Sequence, residues 1–223
     1  MLKYGIYAKA VELLCFKHAL ARLSELHPEM DMKAYKKRVK SEYKAMLLRT
    51  PDIGGSSLEM NLYIAAFVMF GDVEITSAAA RELLKRAPEY DIMITAESKG
   101  IPLLFEMARQ AGENNYIVAR KGPKLYMQNV HTTYVNSITT ENKQMLCLGE
   151  SDMKAMNGKR VLIVDDVIST GESLLAIEKL VKEVGGEIVG RMAVLAEGDA
   201  AKRDDIIYLE PLPLFDGEGN PIE

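Results

Sequence analysis

Cysteine is scarce in this 223-residue chain and tryptophan is missing. Two cysteines, Cys15 and Cys147, are too few for a disulfide framework and lack metal-site spacing. The three histidines, His18, His27 and His131, show no ligand spacing either. No window approaches the ~18 uninterrupted apolar residues of a membrane span. Lysines break up the apolar start, MLKYGIYAKAVELLCFK, so no secretory leader is expected. Neither G-x-x-x-x-G-K-[ST] nor G-x-G-x-x-G occurs, which removes the usual nucleotide fingerprints. The expectation is a cytoplasmic protein with no membrane partner. Its 48% hydrophobic and 27% charged residues are ordinary globular composition. A chain this long buries a core without covalent staples.

The net charge of −4 is unevenly spread. Residues 1–50 hold 11 Lys/Arg against 5 Asp/Glu, and the remainder holds 17 against 27. Leu13, Phe16, Leu20 and Leu23 make one helical stripe, and Tyr35, Val39, Tyr43 and Met46 make a second. The first 50 residues therefore read as a helical extension, ended by Thr50-Pro51-Asp52-Ile53-Gly54-Gly55. Lys33, Lys37, Lys40 and Lys44 on the second helix read as a solvated face rather than a nucleic-acid surface.

Residues 51–223 alternate between helix and strand signals. Leu58–Phe70 and Ser77–Arg86 read as helices, and Tyr90–Thr95 as a buried strand. A helix with Pro102 in its first turn and Gly112 past its end follows. Tyr116–Arg120 reads as a short strand, and 121–143 as a long loop without periodicity, a length usually tied to function. Gln144–Leu148, Val161–Asp165, Glu187–Ala196 and Asp205–Leu209 supply further strands. Glu172–Val184 is a helix closed by Gly185-Gly186. This order predicts an α/β fold with a doubly wound, mostly parallel sheet.

The chemistry concentrates in Val161-Leu162-Ile163-Val164-Asp165-Asp166-Val167-Ile168-Ser169-Thr170-Gly171-Glu172-Ser173. A buried strand here delivers two acids to the sheet rim, and a small hydroxyl-rich turn then opens a helix. Ligands of open α/β sheets bind at that rim. Helix-start amides and the helix dipole suit a phosphate, and Gly171 allows close backbone approach. The aspartates are acceptors, suited to a diol or a metal-bound ligand. Together they indicate a sugar phosphate. The receiver domains of response regulators also begin VLIVDD, but they need a phosphoacceptor Asp and a Lys further on. Only 57 residues follow Asp166, and no lysine follows Lys202.

Residues 161–173 resemble the 5-phosphoribosyl-1-pyrophosphate (PRPP) motif of type I phosphoribosyltransferases. Glu97-Ser98-Lys99-Gly100 is similar to the pyrophosphate loop of the adenine phosphoribosyltransferase-like branch, and Arg120-Lys121-Gly122-Pro123-Lys124-Leu125 to the start of its flexible catalytic loop. The likeness runs over about residues 50–212. It implies transfer of ribose 5-phosphate from PRPP to a purine base, adenine favoured, with Mg²⁺ and a homodimer. Asp165 and Asp166 would hold the ribose hydroxyls, and Ser169, Thr170, Gly171, Glu172 and Ser173 the 5-phosphate. Glu97, Ser98, Lys99 and Gly100 would face the pyrophosphate, in a loop that in the family often has cis non-proline geometry. Arg120, Lys121 and Lys124 would neutralise the pyrophosphate as it leaves. On this likeness Asp165, Asp166, Lys99 and Lys124 are the catalytic candidates. The metal would be held by PRPP, with Asp165 or Asp166 reaching it through water.

Tyr134 would help close the flexible loop. Ser137 stands where adenine-specific members carry a Glu, which leaves the acid/base group unassigned. The base pocket would involve Ile53 and Glu197. A PRPP- or nucleotide-binding regulator without catalysis is the alternative. The missing loop Glu and the basic N-terminal arm favour it; Lys99, Arg120, Lys121 and Lys124 favour the enzyme.

Overall fold

The most apolar strand signal, Val161–Val164, becomes the centre of a five-stranded sheet in the computed structural model of this chain. The structure describes residues 47–49, 63–65, 67, 69–136, 143–215 and 221–222. The expected helices before residue 47, together with Ile53 and Ser137, lie outside them. The chain divides into two compact units. One is Met69–Leu209; the other joins Met1–Val68 with Glu210–Glu223.

In the larger unit, α1 (Val73–Leu84) precedes β3 (Ile92–Ala96) and α2 (Gly100–Ala111). Then come β4 (Ile117–Ala119), β5 (His131–Asn136), β6 (Lys143–Leu148) and α3 (Glu150–Met156). The series ends with β7 (Arg160–Ile168), α4 (Glu172–Glu183), β8 (Glu187–Glu197), a 3₁₀ turn (Gly198–Lys202) and the start of β9 (Ile207–Leu212), which runs on past the unit's last residue, Leu209. The sheet order is β4-β3-β7-β8-β9, with β3 parallel to β4 and β7, and β7 parallel to β8. This is the expected α/β arrangement. Ile92, Ile94, Val161 and Ile163 share a core with Leu174, Ile177, Leu180 and Val181 of α4. Leu103, Leu104 and Met107 bury the inner stripe of α2. Pro102 and the left-handed Gly112 bound that helix as the sequence predicts.

The smaller unit holds an antiparallel sheet ordered β1-β2-β10-β11. Its strands are β1 (Leu47–Arg49), β2 (Tyr63–Ala65), β10 (Leu214–Phe215) and β11 (Pro221–Ile222).

Several elements correct the sequence reading. Leu47–Arg49 and Tyr63–Ala65 are strands where helix was expected. The run NLYIAAFVMF is apolar on every face, so its periodicity cannot separate strand from helix. Helix α1 starts at Val73, four residues early, because the carboxylate of Asp72 caps it by accepting from Ile75 N at 3.1 Å. The expected loop 121–143 contains β5, which pairs antiparallel with β6. Its run His131-Thr132-Thr133-Tyr134-Val135 is β-branched and aromatic, which suits a strand despite its polarity. Strand β7 runs three residues past Asp165, so both aspartates lie within it.

Candidate active site

Four parallel neighbours, β4, β3, β7 and β8, end at one rim, and their C-terminal ends carry the candidate residues. Arg120 follows β4, Glu97–Gly100 follow β3, Ser169–Ser173 follow β7, and Glu197 closes β8. From β3 the chain winds through α2 to β4 on one side, whereas from β7 it winds through α4 to β8 on the other. The β3–β7 crevice is thus the switch point where such sheets bind ligands. Pairing of β3 with β7 stops at Ile94–Ile163, yet β8 follows β7 to Ile168. Asp165 and Asp166 therefore emerge where one neighbour has been lost. A cavity of about 570 Å³ opens there, lined by Glu97, Ser98, Lys99, Lys121, Asp165, Asp166 and Ser173 among others.

The Glu97–Ser98 peptide is cis. Glu97 N donates to Ala119 O at 2.8 Å and extends the β3–β4 ladder into the loop. Gly100, the first residue of α2, is required by close approach. A Cβ there would lie 2.2 Å from Thr95 Oγ1 and 3.1 Å from Asp165 Oδ1. Thr95 is fully buried, so the start of α2 lies directly on the end of β3 and on the Asp165 carboxylate.

Asp166 is 5% exposed, and its Oδ2 has no hydrogen-bond partner among the described residues. Its backbone N donates to Asp165 Oδ1 at 2.9 Å. Burial, reinforced by the charge of Asp166, pushes Asp165 up to about 8. Burial also raises Asp166 and Glu197. Lys99 pulls against burial at all three acids, so its ammonium is the counter-charge they share. A buried carboxylate oxygen without a partner, on a residue that lines a cavity, calls for an explanation, and a donor or cation supplied by an occupant is one. Among the described residues no three His, Cys, Asp or Glu groups gather to hold a metal alone. Two hard carboxylates do fit Mg²⁺ that keeps waters and substrate oxygens as its other ligands.

Gly171 caps α4 with φ +80 and has no side chain to satisfy the first-turn amides. Ser169 and Thr170 are exposed, Gly171 is buried, and Ser173 faces the cavity. Arg203 was not singled out by sequence; its Nη1 lies 3.2 Å from where a Gly171 Cβ would stand.

The basic segment meets an acid of its own loop. Glu97 Oε2 accepts from Lys121 N at 3.0 Å and lies 3.8 Å from Lys124 Nζ; Glu97 Oε1 is 3.5 Å from Arg120 Nη1. The Lys121 amide, and then both cations, hold the Glu97 carboxyl below the usual range. Lys121 lines the cavity, whereas Arg120 and Lys124 reach it through Glu97. Arg120 also pairs backbone to backbone with Cys147, tying β6 to the sheet. Met145 and Leu146 of β6 wall the cavity, a contribution the sequence did not reveal. Tyr134 is 53% exposed and does not line the cavity; its carbonyl accepts from Lys179 Nζ at 3.2 Å. Glu183 of α4 also holds β5, accepting from Thr133 Oγ1 and pairing with His131 Nε2 at 2.9 Å. Glu197 stands at the rim through its electrostatic link to Lys99 but is not a lining residue.

An acidic pair beside a helix-capped anion turn, at the switch point of a parallel sheet, is the layout of a sugar-phosphate-binding α/β protein. The chain belongs to the type I phosphoribosyltransferases, in the adenine phosphoribosyltransferase-like branch: the family described as "Phosphoribosyl transferase domain" matches residues 72–212. An adenine phosphoribosyltransferase from Thermotoga sp. (strain RQ2) is 34% identical over 129 residues, 58% of this chain and 67% of its own length. A hypoxanthine/guanine phosphoribosyltransferase from Methanococcus voltae is 31% identical over 129 residues, 58% of this chain and 65% of its own. The match thus spans about two thirds of these relatives. The crystal structure of adenine phosphoribosyltransferase from Thermoanaerobacter pseudethanolicus shares the fold, with a TM-score of 0.56 at 20% identity. It is covered over 99% of its chain by 79% of this one.

Proposed function

We propose that the protein transfers the ribose 5-phosphate group of PRPP to a ring nitrogen of a purine base, adenine in preference, and releases pyrophosphate. One observation carries the reading: residues as far apart in sequence as Glu97 and Ser173 surround a single cavity at the switch point. The α4 turn, Ser169–Ser173, takes the 5-phosphate through backbone amides and hydroxyls. Asp165 and Asp166, both on the cavity wall, accept from the ribose hydroxyls. Lys99 and Lys121 sit where negative charge builds on the departing pyrophosphate.

As the bond from C1 to pyrophosphate lengthens, the sugar gains oxocarbenium character. The chain's task is then positioning and charge stabilisation, with about 2–4 kcal/mol resting on each well-placed donor. Glu97 holds the Arg120–Lys124 cations until the more highly charged pyrophosphate takes them over. Asp165 or Asp166 would hold Mg²⁺ through water, and the ion would supply positive charge against the pyrophosphate. Met145 and Leu146 present apolar surface to the cavity and limit water near the activated sugar. Tyr134, on the hairpin, assists closure, and Glu197 borders the base. A cytoplasmic homodimer is part of the same reading, and light scattering in solution tests the dimer. Among the described residues, no helix is long and apolar enough to cross a membrane.

The decisive experiment supplies PRPP and Mg²⁺ with adenine, hypoxanthine, guanine, xanthine or orotate and follows pyrophosphate release. Turnover with adenine above the other bases is expected. PRPP binding without turnover on any base would replace the enzyme with a regulator.

A further inference from the structure

We infer that Arg203 is part of the phosphate subsite: a guanidinium held against the α4 turn that adds a side-chain cation to a grip otherwise made by backbone amides and hydroxyls. The inference rests on the phosphate role proposed for Ser169–Ser173. Arg203 lies 30 residues beyond the end of that turn, just past the 3₁₀ turn Gly198–Lys202 that follows β8. The parallel sheet returns it to the same rim.

Its orientation is fixed by a chain of charges. Arg203 Nε and Nη2 donate to the two oxygens of Asp205 at 2.8 and 2.7 Å, a fork-to-fork pair. Asp205 Oδ2 lies 3.6 Å from Arg191 Nε on β8. Arg191 Nε donates at 2.5 Å to Glu178 Oε1, on α4 and 8% exposed. With two nitrogens committed to Asp205, the third, Nη1, is turned to Gly171. It lies 3.2 Å from the place a Cβ would take there. Gly171 is thus glycine twice over: φ +80 disfavours any side chain, and a side chain would displace the guanidinium. The same helix carries Glu178 and begins at the turn, so the relay sets the cation and the amides in one frame.

Stability gives little reason for the outer pair of this relay. Arg203 and Asp205 are 35% and 42% exposed, and such pairs contribute about 0–1 kcal/mol. A ligand gives a reason. Ser173 of the turn and Asp166 border one cavity, so an occupant of that cavity lies beside the turn Arg203 backs. A phosphate monoester carries close to two negative charges at neutral pH, more than backbone dipoles alone neutralise.

The test compares wild type, Arg203→Gln, Arg203→Lys and Asp205→Asn by calorimetric titration with two probes, ribose 5-phosphate and pyrophosphate with Mg²⁺. Arg203→Gln is expected to weaken ribose 5-phosphate about tenfold or more, the scale of a lost charged hydrogen bond. Pyrophosphate affinity and the urea midpoint should stay near wild type. Asp205→Asn keeps the cation but loosens it, for a loss of a few-fold. Arg203→Lys should fall between the two, since an ammonium cannot hold Asp205 in a fork and still reach the turn. Equal ribose 5-phosphate affinity in Arg203→Gln and wild type overturns the inference. So does parallel weakening of both probes, which marks general damage. A wild type that binds neither probe sinks the functional reading beneath it.

Discussion

Gly100→Ala places a methyl group where Thr95 Oγ1 already stands. The new Cβ would be 2.2 Å from that oxygen, 3.3 Å from Thr95 Cβ and 3.1 Å from Asp165 Oδ1. Thr95 is fully buried and β-branched, so it has little room to rotate away. Overpacking of this kind costs about 1–3 kcal/mol. Alanine recovers up to ~1 kcal/mol over glycine inside a helix, and less at the first helical residue. The net expectation is a loss of about 1–2 kcal/mol in a urea titration. Turnover should fall further, because the push lands on Asp165; a displacement near 1 Å costs on the order of a hundredfold. Thr95→Ala removes the obstructing oxygen, so Thr95→Ala/Gly100→Ala should be more stable and more active than Gly100→Ala alone. If the two effects simply add, the contact is not what glycine serves and the reasoning fails.

Asp165→Asn/Asp166→Asn should abolish pyrophosphate release while the urea midpoint at neutral pH holds or rises, since amides avoid the cost of ionising two adjacent desolvated carboxyls; wild-type turnover would contradict the ribose assignment. Asp165 also sets a pH dependence. Its folded carboxyl titrates near 8 and its unfolded one near ~3.9, so its contribution is complete below about pH 4. Between there and about pH 8 the unfolded chain releases a proton the folded one keeps, and stability falls. Asp165→Asn should flatten that slope in midpoints measured at pH 5 and 8, and an unchanged slope refutes the burial argument. Lys99→Ala should lower kcat roughly a hundredfold, the scale of one lost transition-state donor; a change only in KM for the base would count against the pyrophosphate role. Glu97→Gln should bind pyrophosphate more tightly in a fluorescence titration, because the loop cations lose their internal partner. Weaker binding would mean that the carboxylate organises the loop for the ligand rather than competing with it.

What was legible in the sequence is what is local. Val161–Asp165 announces a buried strand by composition alone, and Pro102 and Gly112 bracket α2 by backbone chemistry. The PRPP-like turn, the Glu97–Gly100 loop and the basic segment each sit within one stretch, and all three reach the same rim. The rest depends on distant partners. Strand β5 hides behind polar residues, and the buried Thr133 among them needs Glu183, 50 residues away. Helix α3 has only seven residues, too short for a period to show. Met145 and Leu146 read as ordinary apolar residues until β6 swings against the cavity. Arg203 looked like one charge in Lys202-Arg203-Asp204-Asp205, and only the return of β8 to the rim gives it a role.

Helix α4 has a mechanical consequence. Its first turn opens the segment proposed for the 5-phosphate, and its last turns hold the hairpin through Lys179 and Glu183. Twelve residues make a stiff strut of about 18 Å between these two fastenings. Any residue that steadies the hairpin is thus fastened, through one rigid element, to the turn proposed for the 5-phosphate.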